Sequence, residues 1–211
     1  MHFLQHKWIV RLQLIYFFKW LCLVLITAYK IMIYYNTAGD WNRFSIYDLP
    51  PTLRLSPDFR SVKYYGGAQT RFVSAFLESP QRKLKYRLFR CYGTHVHIGM
   101  RVRDAYRDPT LPLRFDPHTW FICRAGSQLF EGGRAGMNTV NNIPEGAIVT
   151  VEKDFQTQSL KFRVNGADPI NKEGLSFGWR PTGLSPEAFD ALVGVVEFDS
   201  TNLGDEVQLV N

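Results

Sequence analysis

From residue 40 onward, apolar and polar residues alternate in short runs, separated by turn-forming residues at intervals of roughly 8–12 residues. Charged and apolar residues alternate one for one over 83–88, which predicts a strand with one face in water and the other against a core. A short helix is predicted over 185–190, where Ser185 can act as N-cap and Pro186 suits the first helical position. The whole pattern favours an all-β domain, a β-sandwich or a barrel. Strands are predicted at 71–77, 83–88, 95–102, 120–124, 147–151, 160–164, 193–198 and 206–210.

The clearest local pattern ends in a tight turn. Leu160, Phe162 and Val164 lie on one face of a strand, and charged residues alternate with them on the other face. Asn165 and Gly166 follow, the dipeptide that tolerates positive φ at both central positions of a two-residue turn. A slip of one residue would turn the apolar face to water, so this turn is expected to fix the register.

The first 36 residues are different, because apolar residues run through them almost without interruption. The segment 14–34 is long enough to cross a bilayer, which takes about 20 residues. Lys19 and Lys30 lie where their ammonium groups can reach an interface while their stems stay in lipid. The sequence therefore predicts an N-terminal hydrophobic helix and membrane association through residues 12–35, as a single transmembrane helix.

Three other interpretations of this segment stay open. It can be a signal peptide cleaved after Ala28, an amphipathic helix that packs on the domain, or an upstream extension of a chain that starts at Met32. Basic residues flank both sides of the apolar stretch, so they do not orient it in a membrane. The domain organisation predicted is a hydrophobic segment over 1–36 and a β domain over 40–211.

Composition and charge narrow the class of protein. Of the 211 residues, 45% are hydrophobic and 21% are charged, which excludes a disordered chain. The net charge of +6 includes four bases and no acid in residues 1–36, so 25 − 4 = 21 bases face 19 acids in the rest, a charge of +2. A nearly neutral domain gives no reason to expect a nucleic-acid partner, and none is predicted.

The cysteines indicate the compartment. Cys22, Cys91 and Cys123 are too scattered for a disulfide framework and form no C-x-x-C pair. We expect reduced, mostly buried thiols and a domain on the cytoplasmic side, anchored to a membrane by the N-terminal segment.

Metal-binding and catalytic residues are sparse. His95 and His97 point to one face of a predicted strand and are the best metal candidates, but a metal needs three or four convergent ligands. The next acid is Asp104 and the only later histidine is His118, so no metal and no cofactor is predicted. The sequence contains no G-x-S-x-G nucleophile elbow, and we predict no enzymatic activity.

The stretch 146–154 followed by 159–166 resembles the central signature of SPRY domains, in which "G-D-x-(apolar)-x-V-x-x-D" precedes "L-x-F-x-x-N-G". The elements at 53–58, 97–100 and 204–207 resemble other SPRY motifs and occur in the family's order. Ala147 departs from the pattern, since an acidic residue is usual there. The resemblance covers about residues 40–211. It implies a concanavalin-like antiparallel β-sandwich of two packed sheets.

The resemblance also implies a function, since SPRY domains bind peptides or proteins through variable loops at one end of the sandwich. We therefore expect a non-catalytic protein-interaction module, with a substrate-recruiting role for ubiquitin ligation as in many family members. The alternative is a lectin-like sandwich that binds or cleaves carbohydrate, with two carboxylates about 5–9 Å apart. The candidate contact residues lie in four loops and are Tyr64, Tyr65, Tyr106, Arg107, Phe130, Arg134, Trp179 and Arg180.

Overall fold

Contacts divide the chain into two units, Met1–Trp41 and Asn42–Asn211. The computed structural model describes residues 42–47, 49–67, 72–92, 95–103, 112–136, 142–169, 179–199 and 203–211 of the second unit. In the first unit it describes only residues 19, 20 and 24, so the predicted hydrophobic helix and membrane segment lie outside the described residues. No helix among the described residues is long and apolar enough to span a bilayer.

The second unit consists of two antiparallel sheets. The seven-stranded sheet has the order β1-β2-β13-β4-β9-β10-β11, and the six-stranded sheet has the order β3-β12-β5-β6-β7-β8. The strands in the described part of the chain are β1 (Leu53–Leu55), β2 (Ser61–Tyr64), β3 (Phe72–Phe76), β4 (Lys83–Arg90), β5 (Val96–Val102), β6 (Thr119–Cys123), β7 (Leu129–Glu131), β8 (Arg134–Ala135), β9 (Ile148–Asp154), β10 (Ser159–Val164), β11 (Trp179–Pro181), β12 (Leu192–Asp199) and β13 (Glu206–Val210).

The prediction of an all-β domain is confirmed. The eight strands predicted from the sequence are present as β3, β4, β5, β6, β9, β10, β12 and β13, with bounds within three residues of those expected. The short helix is also present, over Pro186–Asp190, and the Ser185 side chain accepts a hydrogen bond from the Ala188 N–H at 3.3 Å. The strands that the pattern missed are β1, β2, β7, β8 and β11, which are two to four residues long, too short to show a period.

The main core lies between the two sheets. Leu84, Tyr86 and Leu88 of β4 point inward and are fully buried, as the alternation over 83–88 predicts. They belong to one apolar cluster with residues of the other sheet such as Ile98 of β5 and Val196 of β12. This shared cluster holds the sheets together.

A second apolar cluster covers the outer face of the six-stranded sheet. It contains Phe121, Phe130 and Val195 from three strands and Leu113 from the segment before β6. Strands β6 and β12 are buried along their whole length, and β5 is buried except at Val102, which is partly buried. The central strands of this sheet are therefore covered on both faces.

The predicted turn at Asn165 and Gly166 is confirmed, with φ of 50° and 82°. Val164 and Ala167 exchange backbone hydrogen bonds across it, at 2.8 and 3.0 Å. Asn165 also fixes the start of β9, because its backbone N–H donates to the Ile148 carbonyl at 2.8 Å and its Oδ1 accepts from the Ile148 N–H at 2.9 Å. The residue that makes the turn thus also ends the β9–β10 ladder.

We expect Asn165→Ala to destabilise the domain by about 1–2 kcal/mol, because alanine disfavours positive φ and leaves the Ile148 N–H without its acceptor. Asn165→Asp keeps both an oxygen acceptor and tolerance of this conformation, so it should stay within about 0.5 kcal/mol of the wild type. Urea unfolding with an unchanged m-value measures both. Equal stability of the alanine variant and the wild type would contradict this role.

A lysine interrupts the core. Lys153 continues the inward row of Val149 and Val151 on β9 and is only 2% exposed. Its Nζ donates a hydrogen bond to the Asp190 carbonyl at 2.7 Å, at the end of the short helix. Burial lowers the pKa of Lys153 to about 8, although the nearby Asp190 charge opposes the shift.

The buried ammonium makes the stability depend on pH. Between about pH 8 and the usual lysine pKa of 10.5, the unfolded chain binds more protons than the folded one, so stability attributable to Lys153 rises with pH across this window. Lys153→Met should remove that rise, on the order of 1–3 kcal/mol. Denaturant unfolding of both proteins at the two ends of the window measures the difference. Parallel pH profiles for the two proteins would contradict the assignment.

Candidate functional site

Three connections between the sheets lie at the same end of the sandwich. The pairing registers place the end of β2, the end of β4 and the start of β13 side by side in one sheet. They likewise place the starts of β3 and β5 beside the end of β12 in the other sheet. The connections β2–β3, β4–β5 and β12–β13 therefore cross between the sheets at this end, which we call the loop end.

A pocket of about 470 Å³ opens at the loop end, between the described parts of these connections. Three large side chains in its lining are mostly exposed: Tyr65 at 59%, Tyr92 at 68% and Leu203 at 64%. The described lining residues include two bases and no acid. The residues that line it are Lys63, Tyr64, Tyr65, Arg90, Tyr92, Leu203 and Gly204.

Hydrogen bonds fix the three connections to one another. The Gly204 N–H donates to the Tyr64 carbonyl at 3.0 Å, and the Tyr64 N–H donates to the Asp205 carbonyl at 2.9 Å. The Asp205 side chain, which is fully buried, accepts from the Tyr92 N–H at 2.6 Å. Each connection is thereby joined to a neighbour by hydrogen bonds within the domain.

Glycine allows the close approach within the pocket. Gly66 has φ of +93°, and a Cβ at this position would lie 2.4 Å from Cδ2 of Leu203. The Leu203 side chain thus occupies space that a Cβ at residue 66 would fill, and glycine also suits the positive φ of this position.

The positive charges lie beside the aromatic rings. Lys63 Nζ is 5.3 Å from the centroid of the Tyr65 ring, a cation–π distance. The Arg90 guanidinium lies 5.8 Å from the centroid of Phe89, which is 44% exposed. The described lining of the pocket is therefore aromatic and basic, and Glu206 is the strand partner of both Lys63 and Arg90.

Of the predicted contact residues, the structure brings Tyr64 and Tyr65 to this pocket. They differ in access, because Tyr64 is 1% exposed and belongs to the main core, whereas Tyr65 faces solvent. Tyr106 and Arg107 lie outside the described residues. Contact with a partner stays a prediction for all of them.

The other four predicted residues lie elsewhere in the sandwich. Phe130 is 8% exposed and its ring stacks on Phe121 at 4.6 Å, while Arg134 is exposed beyond the adjoining turn. Strand β7, which carries Phe130, pairs with Trp120–Ile122 of β6. The turn before Arg134 lies beside the start of β6, at the end of the sandwich opposite the loop end. Trp179 and Arg180 form the edge strand β11, paired with β10.

Sequence reasoning missed Lys63, Arg90, Tyr92 and Leu203. Each lies in or next to a strand end, and they come from parts of the chain far apart in sequence. The residue types of Tyr92 and Leu203 could have indicated a binding surface. Both are large side chains just outside predicted strands, where turns usually have small or polar residues.

The two histidines considered as metal ligands lie near a cysteine that the sequence did not connect with them. Donor atoms of His95, His97 and Cys123 all lie within 4.8 Å of one another. His97 Nδ1 is 2.8 Å from Oε1 of the fully buried Glu197. Burial alone would lower the pKa of His97, but hydrogen bonds with Cys123 and Glu197 raise it to about 9.

No family model matches the sequence, and no curated protein matches it. Solved structures do. The SPRY domain of human HERC1 has a TM-score of 0.57 at 14% identity, covering 80% of this chain and 97% of that domain. A human SPRY domain has a TM-score of 0.59 at 15% identity, covering 75% of this chain and 94% of the other. The PSpry domain of TRIM65 has a TM-score of 0.52 at 14% identity, covering 80% of this chain and 91% of the other.

These similarities confirm the SPRY-like sandwich that the motifs predict. The identities of 14–15% limit the conclusion to the fold. The chain has the SPRY-domain fold in a divergent sequence.

Proposed function

We propose that this protein is a non-catalytic protein-interaction module that binds a peptide or protein segment in the loop-end pocket. The observation that carries the proposal is the cluster of exposed Tyr65, Tyr92 and Leu203 beside two basic side chains. Exposed apolar side chains are ordinary when scattered, but a cluster rimmed by charge is typical of a binding surface. Tyrosine and arginine are also the residue types that contribute most binding energy at interfaces.

Hydrogen bonds join the described chain segments that form the pocket. Its three connections are hydrogen-bonded to one another through Tyr64, Asp205 and Gly204. A preformed surface loses less conformational entropy on binding than one that must be ordered, so more of the contact energy appears as affinity.

The charges indicate the chemistry of the partner. Lys63 and Arg90 attract a carboxylate, and Arg90 can bind one through two parallel hydrogen bonds. The exposed rings offer apolar contact next to it. We therefore propose a short segment with an acidic residue beside an apolar or aromatic one. A substrate-recruiting role in ubiquitin ligation would use this pocket for the substrate, with another protein supplying the ligase.

The described lining of this pocket does not supply the two carboxylates about 5–9 Å apart that carbohydrate cleavage requires. None of the seven lining residues that the structure describes is acidic. The compartment stays part of the proposal: Cys91 and Cys123 are buried free thiols, which suits the cytoplasmic side.

Selection from a random peptide display library on the full chain tests the proposal. We expect selected peptides to combine an acidic residue with an aromatic or large apolar one. Tyr92→Ala should weaken the best peptide at least about tenfold, because it removes an exposed ring from the centre of the contact. Arg90→Glu should weaken it further and reduce the salt dependence of binding. Titration calorimetry measures each affinity.

Tyr47→Ala is the matched control, since Tyr47 is 82% exposed and does not line the pocket. It should leave peptide affinity unchanged, and all variants should unfold at the wild-type temperature. Peptides that bind the Tyr92→Ala and Arg90→Glu proteins as tightly as the wild type would exclude this pocket. A library that yields no binder, while single-stranded oligonucleotides or glycans bind, would exclude the proposed class of partner.

A further inference from the structure

We propose that His95, His97 and Cys123 bind a zinc ion at the loop end of the six-stranded sheet. Donor atoms of the three side chains already lie within 4.8 Å of one another. Zinc–ligand bonds of about 2.0–2.3 Å place tetrahedral donors roughly 3.3–3.7 Å apart. Side-chain adjustments of about 1 Å would therefore close the site around the ion.

Strand register produces this convergence. His97 of β5 is the direct partner of Cys123 of β6, and directly opposed side chains lie on the same face of a sheet. His95 precedes His97 by two residues and so lies on that face as well. Strands β5 and β6 therefore supply His97 and Cys123, and His95, which directly precedes β5, supplies the third donor.

A carboxylate orients one of the ligands. Glu197 of β12 holds Nδ1 of His97 at 2.8 Å, which leaves Nε2 as the nitrogen available to a metal. Glu197 is itself held by the Ser74 hydroxyl at 3.1 Å and by the Leu113 N–H at 3.0 Å. Histidine ligands of zinc usually donate their second N–H to a carboxylate in this way.

The donor set selects the metal. A thiolate and two imidazoles suit zinc and disfavour magnesium or calcium, which require oxygen ligands. The Cys123 thiolate and the Glu197 carboxylate together balance the charge of Zn²⁺ in a site where Cys123 is 3% and Glu197 0% exposed. His95 is partly exposed, so the ion has a route of entry and its fourth position can hold water.

The competing explanation of this cluster is a buried ion pair between His97 and Glu197 without a metal. The two explanations require different residues. Such a network includes Cys123 as a second hydrogen-bond partner of His97 but does not need His95, whereas a zinc site loses a ligand when either residue is replaced. Cys91 is a matched control because it is also a buried free thiol and does not belong to the cluster.

The test uses the full chain, stripped of metal with a chelator and titrated with Zn²⁺ and with Co²⁺ as a spectroscopic substitute. We expect one equivalent to bind, with a sulfur-to-cobalt charge-transfer band and the strong visible absorption of tetrahedral cobalt. Cys123→Ser should abolish the charge-transfer band, and both Cys123→Ser and His95→Gln should lower zinc affinity at least about tenfold. Cys91→Ser should bind as the wild type does. Zinc should raise the unfolding temperature of the wild type and Cys91→Ser only.

Several results would overturn the site. Cobalt binding without the charge-transfer band would exclude the thiolate, and zinc binding that survives both ligand substitutions would place the ion elsewhere, for example at His2 and His6. Binding of copper(I) but not of zinc would overturn the choice of metal. If Cys123→Ser fails to fold, His95→Gln decides, because His95 is partly exposed and its replacement removes no core side chain.

Discussion

Strands β5, β6 and β12 are covered on both faces, so every polar group on their outer face needs a partner inside the protein. Glu197 meets this need with the His97 ring and the Ser74 hydroxyl. Arg101 meets it with Asp116, whose Oδ2 accepts from the arginine Nε at 2.8 Å. The charged groups under the second apolar cluster are thus paired across strands, and these pairs hold the sheet and its cover in register.

Part of this cover comes from a largely polar insert, residues 103–118, between β5 and β6. Leu113 is fully buried in the second apolar cluster, and its N–H donates to both oxygens of Glu197. Strands β5 and β6 are closely packed at Gly99, since a Cβ there would lie 2.5 Å from Cα of Phe121. The described end of the insert, from residue 112 to 118, therefore serves the fold. Its contribution to partner binding would have to come from other residues.

The parts of the fold that follow from a local pattern were predictable, and the parts that depend on topology were not. Alternation identifies β4, and the preference of Asn165 and Gly166 for positive φ identifies the turn. Alternation does not predict the burial of Lys153, because that burial depends on the Asp190 carbonyl at the end of a helix distant in sequence. The pairing of His97 with Cys123 could not be predicted from the sequence pattern either. A two-residue turn would have fixed the β5–β6 register, but the long connection between these strands does not.

Only part of the pocket could be predicted from the sequence, because the rest depends on topology. Tyr65 belongs to a turn that sequence reasoning selects, whereas Tyr92 and Leu203 join it only because β13 lies between β2 and β4. Tyr92 and His95 lie on the same β4–β5 connection, so the pocket and the metal cluster share a segment of chain. The pocket and the metal cluster nevertheless depend on different structural features. The pocket depends on side chains that the sandwich leaves exposed, and the cluster depends on side chains that strand register forces together, so loss of one leaves the basis of the other intact.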